Sequence, residues 1–139
     1  MQYGISISVD EPYEQTLARV TEELNREGFG VLTTIDVRET MRKKLGVEFR
    51  KYMILGACNP PLAHKALLAE EQIGLLLPCN VIVYEHDDKT TVAAFDPMVM
   101  VSMLGKAVVE PIATEVRRKL ERVLGRVAGS QIQPGDAPL

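Results

Sequence analysis

Residues 79–86 and 90–95 read as two strands joined only by the turn His86-Asp87-Asp88-Lys89, and no other feature constrains the chain as much. Strands joined so tightly must run antiparallel, because a parallel return needs a crossover of about a dozen residues or more. A wholly parallel, doubly wound sheet is therefore disfavoured. The two segments that would have to serve as its crossovers, 37–45 and 61–71, are short for that task.

The remaining segments supply partners for this hairpin. Along 2–9, Tyr3, Ile5, Ile7 and Val9 alternate with Gln2, Gly4, Ser6 and Ser8, which predicts a strand with one buried face. Asp10-Glu11-Pro12 then offers an N-cap, an acidic first turn and a proline whose missing N–H does no harm there. The helix that follows runs to about Glu27, with Tyr13, Leu17, Val20 and Leu24 as its apolar stripe and Gly28 as its stop. Residues 29–35 read as a second strand, and Asp36 caps a short helix, 37–45, that Gly46 ends. The stretch 52–58 is apolar on both faces, which places it inside the sheet. Asn59 and Pro60 suit the N-cap and first position of a helix that ends before Gly74. Leu75-Leu76-Leu77-Pro78 leads into the hairpin, and Asp96-Pro97 starts helical sequence after it. The last helix spans about 107–126, with a stripe through Val109, Ile112, Ala113, Val116, Leu120, Val123 and Leu124, and a surface pair Glu115–Lys119. The expected fold class is α+β: one mainly antiparallel sheet with two long helices on one face and the short helices at its edges. The expected organisation is a single domain over 1–126 and a flexible tail over 127–139.

Composition narrows the function classes. Sixteen Lys+Arg against nineteen Asp+Glu leave a net charge of −3, which makes nucleic acid an unlikely partner. The cluster Arg42-Lys43-Lys44, near Arg38, Arg50 and Lys51, reads as a solvated helix face. Aromatic residues are 5% of the chain with no Trp, too few for a base-stacking platform. No apolar run of membrane-spanning length and no secretory leader is visible, so a soluble protein in a reducing cytoplasm is expected. Cys58 and Cys79 form no C-x-x-C pair and are expected to be reduced.

Two stretches carry a specific pattern: Ile54-Leu55-Gly56-Ala57-Cys58-Asn59-Pro60, and then Leu76-Leu77-Pro78-Cys79-Asn80-Val81. With Gly28-Phe29-Gly30-Val31-Leu32-Thr33-Thr34-Ile35-Asp36-Val37 and Lys44-Leu45-Gly46, they resemble the bacterial and archaeal family called domain of unknown function 302, over roughly 3–126. The resemblance implies a TBP-like order of strand, helix, four strands and helix, and a homodimer. It also implies a frequent glutamate where this chain has Thr34. It supplies no reaction.

The candidate ligand-binding residues are Cys58, Asn59, Cys79 and Asn80, two Cys-Asn pairs that a sheet could bring side by side. A helix N-terminus beside Cys58 would favour its thiolate, but Pro60 and Pro61 remove N–H donors from that first turn. The competing reading makes Cys58 a packed residue and Asn59 a cap. His64 and His86 complete a Cys2His2 set whose spacing matches no zinc motif, so no metal and no cofactor is expected. Asp36 and Asp96 could converge as an acid/base pair, although each suits a helix cap better. Met98, Met100 and Met103, with Val99, Val101 and Leu104, form a run that suits a dimer contact. Three functions follow. The first is a homodimeric module binding a small polar or anionic molecule near the Cys-Asn pairs. The second is a thiol-dependent enzyme or redox protein using Cys58 and Cys79. The third is an interaction protein with no active site. No catalytic triad, P-loop, dinucleotide fingerprint or zinc-protease motif is present in the sequence.

Overall fold

The computed structural model describes residues 2–105 and 107–129. Strands β1 (Gly4–Val9), β2 (Gly30–Asp36), β3 (Tyr52–Cys58), β4 (Cys79–His86) and β5 (Lys89–Phe95) form one sheet in the order β1-β5-β4-β3-β2. Every neighbouring pair is antiparallel. The α-helices are α1 (Tyr13–Arg26), α2 (Val37–Leu45), α3 (Pro60–Ala69), α4 (Met98–Leu104) and α5 (Glu110–Gly129). Short 3-10 segments, Glu71–Leu76 and Ala107–Val109, precede β4 and α5. The fold is α+β, as the hairpin requires.

That hairpin closes through Asp87 and Asp88, at φ 49° and 65°. Two consecutive positive φ values give the turn whose twist matches the flanking strands, and Asp tolerates them better than a branched residue does. In α1 the Asp10 expectation is corrected. The helix begins at Tyr13, Pro12 stands at the boundary without a side-chain cap, and Asp10 pairs with Lys89 at 3.4 Å. Thr16 Oγ1 instead donates to the carbonyls of Pro12 and Glu11. Asp36, Asn59 and Gly46 act as expected: the two side chains accept from Glu39 N and Leu62 N, and Gly46 ends α2 at φ 67°.

The main core lies on one face of the sheet. Val81, Val83, Val92, Ala94, Leu55 and Ala57 point at Val20 and Leu24 of α1 and at Leu120, Val123 and Leu124 of α5. Fully burying each Val or Leu contributes roughly 1.5–3 kcal/mol, so this layer is the main source of stability. On the opposite face, Tyr52 and Tyr84 stack at 5.0 Å, and Ile35 stays 47% exposed.

The short helices do more than border the sheet. Ala66 of α3, Ile73, Met100 of α4 and Val109 make a second, smaller core at one end of the molecule. The methionine run is therefore largely used within the chain. Met100 is buried and Met98 accepts from Thr114 Oγ1, while Met103 remains exposed. At the C-terminal end α5 continues to Gly129, and Val127 is fully buried. The rest of the expected tail, 130–139, lies outside the described residues.

A candidate binding cavity between the two cores

Register brings the two Cys-Asn pairs to one end of adjacent strands. Gly56 faces Asn80 and Ala57 faces Cys79, so Cys58 and Asn59 leave β3 beside the residues that enter β4. The side chains then diverge. Asn59 is buried, its Oδ1 accepts from Leu62 N and its Nδ2 donates to Glu27 O, both at 3.3 Å. Each end of this amide thus makes one structural bond. Gly28 makes room for it: at φ 84°, a Cβ there would stand 3.1 Å from Asn59 Nδ2. Asn80 is exposed and faces a different hollow, about 390 Å³, between Tyr3, Phe95, Ile82 and the Leu75–Pro78 stretch.

Both cysteines are free, Cys58 half-buried and Cys79 buried. Burial, with a smaller contribution from the neighbouring Cys58 charge, pushes the Cys79 thiol up to about 11. At neutral pH it stays protonated and is a poor nucleophile. Iodoacetamide at pH 8 is therefore expected to label Cys58 in the native chain and Cys79 only after unfolding. Equal native labelling of both, read by mass spectrometry, would contradict this assignment.

The histidines do not join the cysteines. His64 is exposed on α3. His86 stands at the far end of β4 from Cys79, about 23 Å away at ~3.3 Å per residue, where Nδ1 lies 3.2 Å from Arg50. Among the described residues, no three His, Cys, Asp or Glu side chains are grouped to hold a metal ion. Asp36 is the N-cap of α2, and Asp96 stands one residue before Pro97, the N-cap of α4. Asp36 accepts from Glu39 N, whereas Asp96 accepts from Met98 N and from Arg117.

Cys58, Asn59 and Cys79 instead line a cavity of about 300 Å³ between the two cores. Its walls come from the ends of β3 and β4, from α3, the 3-10 segment and α4, and from Ile112, Ala113 and Val116 of α5. Leu32 and Leu67, 66% and 43% exposed, mark its opening. Leu32 stands there because β2 shifts register between Val31 and Thr33, leaving it unpaired. Leu77 and Pro78 form the wall shared with the Asn80 hollow. The lining holds no Lys, Arg or His. Pro60 and Pro61 lack N–H groups and Asn59 takes the next one, so the start of α3 offers few donors to an anion.

The walls that sequence reasoning missed are plain apolar residues: Phe29, Ile73, Leu77, Met100 and Val116. The signal that could have found them is the placement of Ala63, Ala66 and Ala113, small residues on helix faces turned toward the core.

Comparison with known proteins gives the chain relatives. The family model described as "Domain of unknown function DUF302" matches residues 5–127. None of the curated proteins compared with the chain matches it. Among solved structures, it is similar to the crystal structure of an uncharacterized conserved DUF302 protein from Bacillus stearothermophilus. The TM-score is 0.85 and the identity 30%, over 91% of this chain and 99% of that one.

Proposed function

The chain belongs to the DUF302 family, whose description names no activity, and we propose that it is a binding module holding a small molecule in the cavity between its two cores. The observation that carries this reading is the cavity itself. Its volume of about 300 Å³ lies at the lower end of the range of ligand pockets, roughly 300–1,000 Å³, and its lining is of the usual apolar kind. The raised Cys79 thiol weighs against the thiol-enzyme alternative. The uncharged probe 1-naphthylamine is expected to bind the native chain with a rise in fluorescence. Ala66→Phe, which fills the cavity from α3, is expected to weaken binding at least tenfold. Ala63→Leu gives a second filling variant, and circular dichroism checks the fold of both. Undiminished binding in two folded variants would place the probe elsewhere and remove the reading.

The same proposal includes self-association through the face of the sheet opposite α1 and α5, which the Leu75–Pro78 stretch covers at one end. Five strands ~4.8 Å apart and about 20 Å long present roughly 480 Å². Two copies would thus bury on the order of 1,000 Å², near the lower bound for a stable interface. Exposed Ile35 and the Tyr52–Tyr84 stack supply apolar anchors there. Light scattering is expected to give about 31 kDa, twice the 15.4 kDa of one chain, and Tyr84→Asp to lower it. A 15.4 kDa particle at micromolar concentration would end this part. Among the described residues, no helix is long and apolar enough to cross a membrane. The two free thiols support a location in a reducing cytoplasm. The reading assigns no nucleic-acid partner to a chain whose net charge is −3.

A further inference from the structure

We propose that the ligand of this cavity is an uncharged, largely hydrocarbon molecule of about ten non-hydrogen atoms carrying at most one weakly polar group. The inference rests on the cavity being a ligand site and goes further by naming the ligand's chemistry. Size comes from the volume: about 300 Å³ divided by the ~30 Å³ that one water-sized heavy atom occupies in a liquid. Charge is excluded by the lining. It offers no Lys, Arg or His to a carboxylate or phosphate, and no Asp or Glu to an amine. A buried ion without a partner is strongly disfavoured, by more than the apolar contacts of so small a molecule can return.

The polar capacity left in the walls is small. The Asn59 amide spends one N–H on Glu27 O and one lone pair on Leu62 N, which leaves at most one donor and one acceptor site for a ligand. Cys58 and Cys79 remain, and a thiol is a weak donor and a weak acceptor. The buried Cys79 thiol stays protonated, so it brings no negative charge that would attract a cation. One hydroxyl, ether or ester is what such walls accommodate. The opening repeats the selection, because Leu32 and Leu67 are the exposed side chains a ligand meets first.

The test uses three probes of one chain length, decan-1-ol, decanoate and decylamine, competing at pH 7.5 with the similarly sized, uncharged dye 1-naphthylamine on the full chain. Decan-1-ol is expected to displace the dye at a concentration at least tenfold lower than either charged probe, and to lose its binding in Ala66→Phe or Ala63→Leu. Displacement by decanoate or decylamine within twofold of decan-1-ol overturns the inference, as does failure of all three while the dye stays bound. In both cases dye binding that the filling variants abolish leaves the binding module itself standing. A dye that does not bind the native chain removes the module and the inference together.

Discussion

Glu27→Gln is expected to lower the stability of the chain by about 2 kcal/mol at pH 7 and to have almost no effect near pH 2. Glu27 is 8% exposed at its side chain, just beyond α1, and binds α5 through Arg122 at 2.9 and 3.1 Å and Arg126 at 2.7 Å. Lys119 stands 4.0 Å away. The Arg122 hydrogen bond first, and Arg126 after it, hold the Glu27 carboxyl at about 2, well below its usual 4.5. A carboxyl depressed in the folded state contributes its stability above the unfolded value. The contribution falls as pH drops from about 4.5 and is gone below about 2. The full shift corresponds to about 3 kcal/mol at ~1.4 kcal/mol per unit. The two guanidinium groups are 49% and 40% exposed, and solvent screening brings the figure to about 2. Urea unfolding from pH 7 to pH 2.5 measures it. A deficit in the variant that stays constant to pH 2.5 would show that the charge is not responsible.

The second large effect is expected from Gly56→Ala, which removes about 1–3 kcal/mol although Ala is the better residue in most of a chain. Gly56 lies in β3, opposite Thr33 on one side and Asn80 on the other. A Cβ there would overlap Thr33 Oγ1 and come within 2.9 Å of Pro78 Cγ. Thr33 is exposed and can rotate away; the Pro78 ring has less freedom. Thr33→Ala in the Gly56→Ala background is therefore expected to recover only part of the loss. Pro78 walls the cavity, so dye binding should change as well. Full wild-type stability in Gly56→Ala, by thermal unfolding, would mean that β2 and Pro78 yield freely.

How far the sequence foretold these features depends on how local each one is. The β4–β5 turn, the Asp36 and Asn59 caps and the Gly46 stop are each decided within a few residues, and each stands where the pattern puts it. Asp10 failed as a cap because Pro12, at ψ 153°, keeps the chain extended until Tyr13. Lys119 reads as the partner of Glu115 on its own helix, yet it stands 4.0 Å from Glu27, 92 positions earlier in the chain. No local pattern announces that meeting. The candidate site was legible to the same extent. Neighbouring strands brought Cys58 and Cys79 together at one strand end. Which way Asn59 and Asn80 turn depended on Glu27 O and on the Leu75–Pro78 stretch. The space between the two cores has no residue of its own to mark it.

The order β1-β5-β4-β3-β2 sets a timetable for synthesis. Gly4 has Phe95 as its partner, so the strand of this sheet that is made first waits for the one made last before it can pair. Until then β2, β3 and β4 are free to assemble as a meander of nearest neighbours, and α1 has only part of the surface it will cover. A chain cut before residue 89 has lost the whole partner of β1, and its uncharged stretch Gly4–Val9 is then left to seek pairing with other molecules.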